Sequence, residues 1–123
     1  MKHKNIVMLE GRISDDFKYT RTQEGKVFAT FTMVIRSFDK EFSDNSEKRT
    51  DVSIRIHVFD YKLVQYLKKV KAHNGCLVSV FGRMNSYRKE TRRGDFYTQN
   101  NVVVRDIHLV KTMADEEEDE NDM

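Results

Sequence analysis

Apolar and polar residues alternate along two stretches in the first half of the chain, which is the period of a β-strand with one buried face. The first stretch, Lys26 to Arg36, is rich in Val, Ile, Phe and Thr, and its buried-face candidates are Ala29, Phe31, Met33 and Ile35. The second stretch, Asp51 to Phe59, places Val52, Ile54, Ile56 and Val58 on one face and Ser53, Arg55, His57 and Phe59 on the other. Both stretches predict strands with one apolar face and one face of polar and aromatic side chains.

Three further stretches are apolar and rich in strand-forming residues. They predict strands at Asn5 to Ile13, at Cys76 to Met84 and, with a bulge, at Phe96 to Val110. The polar segments between the strands predict a loop at Asp15 to Gly25, a long charged loop at Ser37 to Thr50 and a basic turn region at Asn85 to Gly94.

One segment, Asp60 to about Ala72, has the period of a helix. Leu63, Val64, Leu67 and Val70 form an apolar stripe, and Asp60 is a suitable N-cap. Lysines lie in the last turns, and Asn74-Gly75 predicts the end of the helix.

The predicted order is three strands, one helix and two strands. This order predicts an all-β fold, a five-stranded OB-fold barrel with the helix between strands 3 and 4. Gly11 and Gly82 each lie in an apolar strand and are each followed by Arg and an apolar residue. Strand glycines of small barrels often allow a bulge or a tight bend, although two unrelated glycines explain the pattern equally well.

Charge divides the chain into a body, residues 1–112, and a tail, residues 113–123. The whole chain has 22 basic and 20 acidic residues, and the tail contains seven of the acids and no base. These acids are Asp115, Glu116, Glu117, Glu118, Asp119, Glu120 and Asp122. With 22 bases and 13 acids the body carries +9, which attracts polyanions. The tail has no apolar pattern and is predicted to be disordered, either as an interaction tail or as a solubility tail.

Several classes of protein are disfavoured by what the sequence lacks. No apolar run approaches the roughly 20 residues that span a bilayer, and no signal peptide is recognisable, so a cytoplasmic location is expected. One cysteine, Cys76, and four scattered histidines predict neither a disulfide nor a metal site, and no cofactor motif is present. Asp15-Asp16 lies where aspartates commonly form turns. We therefore expect a protein that is not an enzyme.

Signals for binding single-stranded nucleic acid are stronger, because basic residues that neutralise phosphates are interleaved with aromatic residues that stack on bases. The predicted strands and loops place them on the strand 2–3 face and adjoining loops, the OB-fold binding surface. The candidates are Lys18, Arg21, Phe38, Arg55, Phe59, Tyr87, Arg88, Lys89, Arg92 and Arg93. Alternatives remain open for three of them: Phe59 in the core or in a subunit contact, Arg55 in a surface ion pair, and Phe38 in a loop that closes over the barrel.

The chain resembles the bacterial single-stranded DNA-binding protein family over roughly residues 4 to 110. The matching segments are Gly11-Arg12, Phe28 to Met33, Arg55, Phe59, Lys62-Leu63, Tyr66 to Lys69, Val78 to Arg83 and Gly94 to Tyr97. The resemblance implies an OB-fold that coats single-stranded DNA in replication, repair and recombination in association with the nucleoid. It also implies a homo-oligomer, with a tetramer favoured over a dimer, and an acidic tail that recruits replication or repair proteins.

The chain departs from this family in its aromatic residues. It has no tryptophan, the family's usual stacking residue, and Ser53, Phe38 and Tyr87 align with positions where tryptophan is common. Weaker binding is expected, since stacking contributes about 1–3 kcal/mol per base. The main alternative is a replication-restart, plasmid or phage accessory protein that acts through protein contacts. RNA binding by a cold-shock-like barrel is disfavoured because its strand-borne aromatic motifs are absent, and a small nuclease is disfavoured because no convergent set of carboxylates is present.

Overall fold

The computed structural model describes residues 3–39 and 48–112, and their side chains except at 37–39 and 48–50. Within these ranges it has strands β1 (Val7–Ile13), β2 (Lys18–Arg21), β3 (Val27–Asp39), β4 (Lys48–Val58), β5 (Leu77–Glu90) and β6 (Phe96–Lys111), and helix α1 (Tyr61–Lys69) between β4 and β5. The sheet order is β1-β5-β6-β4-β3-β2, and β1 also pairs with β3, which closes the barrel. The predicted fold is confirmed, with β2 as an additional short strand.

The period-2 pattern correctly predicts which residues fill the barrel. Ala29, Phe31 and Met33 of β3 are fully buried, and so are Ile56 and Val58 of β4. They pack with Val78 and Val80 of β5, Val102, Val104 and Ile107 of β6, and Val64 and Leu67 of α1. Burial of such side chains contributes about 1.5–3 kcal/mol each and is the main stabilising term of the fold.

Val52 lies on the same side of β4 as Ile54 and Ile56, as alternation predicted, but its side chain is 52% exposed. β4 pairs with β6 only at residues 55–57, whereas it pairs with β3 over its whole length. The first half of β4 therefore extends beyond the barrel in a two-stranded ribbon. Ser37 to Asp39 and Lys48 to Thr50, which were predicted as loop, belong to the same ribbon. The remainder of the predicted loop and the tail at 113–123 lie outside the described residues.

Two segments predicted as irregular are strands that pair with a neighbour. β2 lies within the predicted loop at 15–25 and pairs with β3 from Lys18↔Thr30 to Arg21↔Val27. β5 continues to Glu90, through most of the predicted basic turn, because Met84 to Glu90 pair with Phe96 to Val102. Only Thr91 to Asp95 form the connecting turn, which Gly94 closes with a φ of 86°. The predicted bulge is confirmed by register shifts at Leu77/Val78 and Phe81/Gly82.

Helix α1 begins as predicted and ends earlier than predicted. The Asp60 carboxylate accepts hydrogen bonds from the backbone N–H groups of Lys62 and Leu63. The helix ends at Val70, and Lys71 follows with a φ of 56°. The amide of Ala72 donates to the carbonyl of Leu67 and that of Lys71 to Lys68, which is a Schellman motif. The sequence signal at Asn74-Gly75 instead marks the turn into β5.

Gly11 and Gly82 lie where two backbones approach closely. A Cβ atom at Gly11 would lie 2.6 Å from the carbonyl oxygen of Val34, and one at Gly82 would lie 2.2 Å from that of Val103. Glycine is thus required at both positions, because any side chain would collide with the neighbouring backbone. Gly82 also adjoins the β5–β6 register shift, where the sheet bends to close the barrel.

Candidate functional site

The outward side of β3 and β4, with the residue that follows β4, carries two of the ten predicted binding residues, Arg55 and Phe59. Strand alternation and the pairs Thr32↔Arg55 and Thr30↔His57 place their side chains together, opposite the core. We call this surface the strand face and define it by Phe28, Thr30, Thr32, Arg55, His57 and Phe59. It lies between the β2–β3 turn and the distal half of β5 and β6.

Phe59 forms an aromatic platform on the strand face. Its ring lies 5.5 Å from that of Phe28 and 5.6 Å from that of His57, with an interplanar angle of 28° to His57. Its side chain nevertheless remains 52% exposed. Phe59 is therefore not a core residue, and the two rings beside it fix its orientation while half of its surface remains available for stacking.

Arg55 is bound by its neighbours on the strand face. Its guanidinium donates to the Asp16 carboxylate at 2.6 Å and to the Thr30 hydroxyl at 3.0 Å. Asp16 also accepts from the backbone N–H and the hydroxyl of Thr32, at 2.8 and 2.7 Å. Arg55 therefore forms an ion pair, which is the alternative that the sequence left open, and this pair joins the β1–β2 loop to the sheet. A phosphate would have to compete with Asp16 for this cation.

Asp16 was predicted only to shape a turn, and its partnership with Arg55 was missed. No local signal indicates it, because the partner lies 39 residues further along the chain. Burial raises the pKa of the Asp16 carboxyl, but the Thr32 hydrogen bonds and the Arg55 guanidinium outweigh it and hold the pKa below its ordinary value. The carboxylate is therefore charged at neutral pH.

His57 contributes an apolar ring surface. Its Nε2 atom is buried and has no hydrogen-bond partner in the described part of the chain. Burial first, and then the neighbouring Arg55 cation, lower the pKa of the imidazole below its ordinary value. A neutral imidazole at pH 7 supports the Phe59 ring and adds no positive charge to the site.

The distal half of β5 and β6 extends the strand face as a basic ribbon, which we define as residues 85–101. The pairs Asn85↔Asn101 and Arg55↔Asn101 connect it to β4. Tyr87 and Lys89 lie on the strand-face side by alternation, with the Lys89 ammonium 5.2 Å from the Tyr87 ring centroid.

The remaining bases of the ribbon lie elsewhere. Arg88 lies on its opposite side, 4.2 Å from the Phe96 ring centroid. Arg92 and Arg93 are exposed in the turn at its tip. The ribbon therefore presents positive charge on two sides and at its end.

The other predicted residues are divided between two sides of the sheet. Lys18 pairs with Thr30 and lies on the strand-face side, whereas Arg21 pairs with Val27 and lies on the opposite side by alternation. Tyr19 lies on that opposite side as well, with the Lys68 ammonium 5.2 Å from its ring centroid. The side chain of Phe38 lies outside the described part of the structure, as does the whole acidic tail.

The site therefore combines exposed aromatic rings with exposed cations on one continuous sheet surface. Phosphate groups bind such cations, and unpaired bases stack on such rings. In the described ranges, no group of three or more His, Cys, Asp or Glu side chains is placed to hold a metal ion. Nor does any helix there have the length and apolar character needed to cross a membrane.

Comparisons with known proteins agree with this geometry. The model of the single-strand binding protein family matches residues 4–110. A Plasmodium falciparum SSB solved in complex with ssDNA superposes with a TM-score of 0.80 at 22% identity, covering 90% of this chain and 98% of that one. The mitochondrial single-stranded DNA binding protein of S. cerevisiae gives a TM-score of 0.68 at 20% identity, covering 90% and 99%. No curated protein sequence matches this chain.

Proposed function

The chain belongs to the single-strand binding protein family, and we propose that it binds and protects single-stranded DNA, without catalysis, in replication, repair or recombination. The observation that supports this most is the half-exposed Phe59 platform, continuous with Tyr87 and the cations of the basic ribbon. Every base has a face that can stack, so little sequence preference is expected. We also propose that it acts on the nucleoid in the cytoplasm, which imaging of a fluorescently tagged chain would test.

The predicted contact residues take different roles in this proposal. Phe59 and Tyr87 stack on bases, and Lys18, Lys89, Arg92 and Arg93 neutralise phosphates. Arg55, held by Asp16, mainly orders the surface beneath the strand. Arg21 and Arg88 lie on other sides of the sheet, and they contact DNA only if the strand wraps around the barrel.

Fluorescence anisotropy with labelled oligo-dT, the matching duplex and an RNA oligomer, each over a salt series, tests the proposal. Tight binding to the single strand of DNA, falling steeply with salt, is the expected result. Equally weak binding to all three would overturn the proposal and favour the accessory protein that acts through protein contacts. A pull-down that retains partners after nuclease treatment would then identify that role.

We propose that the chain forms a homo-oligomer, with a tetramer favoured, through the outward side of β1. Ile6 is 61% exposed and Met8 is 76% exposed, and Met8 pairs with Phe81 of β5, which is 38% exposed. One edge of β1 pairs with β5, and in the described structure the other edge pairs with β3 only at Arg12 and Ile13. An exposed strand edge beside apolar side chains supports pairing with another copy.

Met8→Glu is expected to lower the oligomeric mass, because it places a charge in the centre of this apolar surface. Light scattering coupled to size-exclusion chromatography measures the mass directly. Gln65→Glu, an exposed helix residue with the same change of charge, is the matched control and should retain the oligomer. If both variants have the mass of the wild type, the interface is not on β1.

We further propose that the acidic tail competes with DNA for the basic body and offers its acids to replication or repair proteins once DNA displaces it. The support is the opposition between the seven tail carboxylates and a body of +9, from 22 bases and 13 acids. Attraction between exposed charges is screened by salt, with a Debye length of about 10 Å at 0.1 M. The competition should therefore be confined to low salt.

Deleting Asp115 to Met123 is expected to tighten oligo-dT binding about threefold or more at low salt, with the difference vanishing by about 0.3 M. The matched control keeps the length and replaces every tail Asp by Asn and every Glu by Gln. It should bind as tightly as the deletion. A neutral tail that still weakens binding would show that bulk, and not charge, is responsible.

A further inference from the structure

A cavity of about 430 Å³ lies at the end of the strand face, where the β2–β3 turn approaches the start of α1. It is lined by Gly25, Lys26, Val27, Phe59 and Tyr61. Ligand pockets of roughly 300–1,000 Å³ are usual for small molecules, so a single nucleotide is of suitable size for this cavity.

The cavity continues the strand face directly. Lys26 lies directly before β3, two residues from Phe28, and lines the cavity together with Phe59. Phe28 in turn packs against Phe59 at 5.5 Å. A nucleic-acid strand that lies on the Phe59 ring therefore reaches the cavity with its next nucleotide.

Tyr61 forms the wall opposite the β2–β3 turn and is the more exposed of the two aromatic residues, at 68% against 52% for Phe59. Among the described residues its ring packs on no other ring, and its hydroxyl forms no hydrogen bond. Its backbone, in contrast, is fixed, because the Asp60 carboxylate caps the helix at the Lys62 and Leu63 amides. An exposed ring on a fixed backbone is available for stacking.

Both aromatic residues line this cavity, so a base that enters it meets the two side chains. Lys26 is exposed at the rim and has no acidic partner among the described side chains. The adjacent Asp60 carboxylate is engaged by backbone amides and competes little for this cation. The cavity thus offers two ring surfaces and one available positive charge.

We propose that this cavity is a nucleotide subsite in which an unpaired base stacks on Tyr61 and Phe59 and the adjoining phosphate pairs with Lys26. The inference rests on the proposed function, because it extends the path of single-stranded DNA by one nucleotide beyond Phe59. It assigns Tyr61, which the sequence did not indicate as a contact residue, to the binding surface of a chain that lacks tryptophan.

Tyr61→Ala tests the subsite, with oligo-dT affinity measured by anisotropy. Loss of one stacking platform should raise the Kd about fivefold to 100-fold. Tyr61→Phe is the matched variant, since it retains the ring and removes only the hydroxyl, and it should restore most of the affinity. The Tyr61 side chain is exposed, so both variants should have the wild-type thermal midpoint when it is measured by circular dichroism.

Photocrosslinking provides a second measurement that does not depend on affinity. An oligonucleotide with 5-iododeoxyuridine, irradiated in complex with the wild type, should crosslink to Tyr61 itself and not only to Phe59 in the same peptide. Wild-type affinity in Tyr61→Ala, or a Tyr61→Phe variant as weak as the alanine variant, would overturn the stacking subsite and leave the proposed function intact. A wild type that fails to bind oligo-dT at all would overturn the proposed function itself.

Discussion

Replacing Phe59 and Tyr87 together by alanine is expected to weaken oligo-dT binding by about 30-fold to 10,000-fold, because each stacked base contributes about 1–3 kcal/mol. Phe59 is the platform of the strand face, and Tyr87 lies on the side of the basic ribbon that continues the strand face. With no tryptophan in the chain, stacking depends on phenylalanine and tyrosine rings such as these. Each single variant should account for roughly half of the free energy lost, since the two rings do not touch.

The comparison that gives this result its meaning is Lys69→Ala on helix α1. Lys69 is exposed and lies outside the strand face, so its replacement by alanine removes a whole charge without removing a ring. Its effect on affinity at moderate salt should be small. Equal losses from the ring variants and from Lys69→Ala would contradict a stacking site and reduce the surface to a diffuse patch of charge.

The barrel could be predicted from the sequence because its signals are local. Alternation in β3 correctly placed Ala29, Phe31 and Met33 in the core, and Asp60 correctly marked the start of the helix. These patterns act over a few residues and depend on burial of one face. Wherever both sides of a strand are exposed, as in the basic ribbon, alternation carries no signal, and pairing with a distant partner decides the structure.

The end of α1 shows how tertiary structure overrides a strong local signal. Asn74-Gly75 has the residues typical of a helix end, yet Lys71 adopts the left-handed conformation three residues earlier. The Tyr66 hydroxyl accepts a hydrogen bond from the Leu109 amide and so fixes the helix against β6. The chain must then turn at once to bring Cys76 to its pairing with Ile13.

The candidate site was predictable in its chemistry and only partly in its geometry. Aromatic and basic residues in a five-stranded barrel indicated the surface, and Phe59 lies on it. The sequence could not show that Asp16 binds Arg55 at 2.6 Å, nor that Tyr61 meets Phe59 across a cavity. Both relationships join elements that only the closed sheet brings together.

Neutralising the basic ribbon with Lys89→Gln, Arg92→Gln and Arg93→Gln is expected to weaken oligo-dT binding about 100-fold or more at about 50 mM salt. Each phosphate neutralised on a single strand contributes about 0.7 to the slope of log K against log salt. Three lost contacts should therefore reduce the slope by about 2, and the loss of affinity should shrink as salt rises toward about 1 M. Anisotropy titrations at four or more salt concentrations measure both quantities.

A control with the same loss of charge separates ribbon contacts from the general attraction of a basic body. Lys4→Gln, Lys69→Gln and Lys71→Gln also remove three exposed cations, none of them on the ribbon or the strand face. This variant should change the slope little, because long-range attraction releases few bound counterions. If the two triple variants shift the slope equally, the ribbon makes no specific phosphate contacts, and the DNA path lies along the barrel alone.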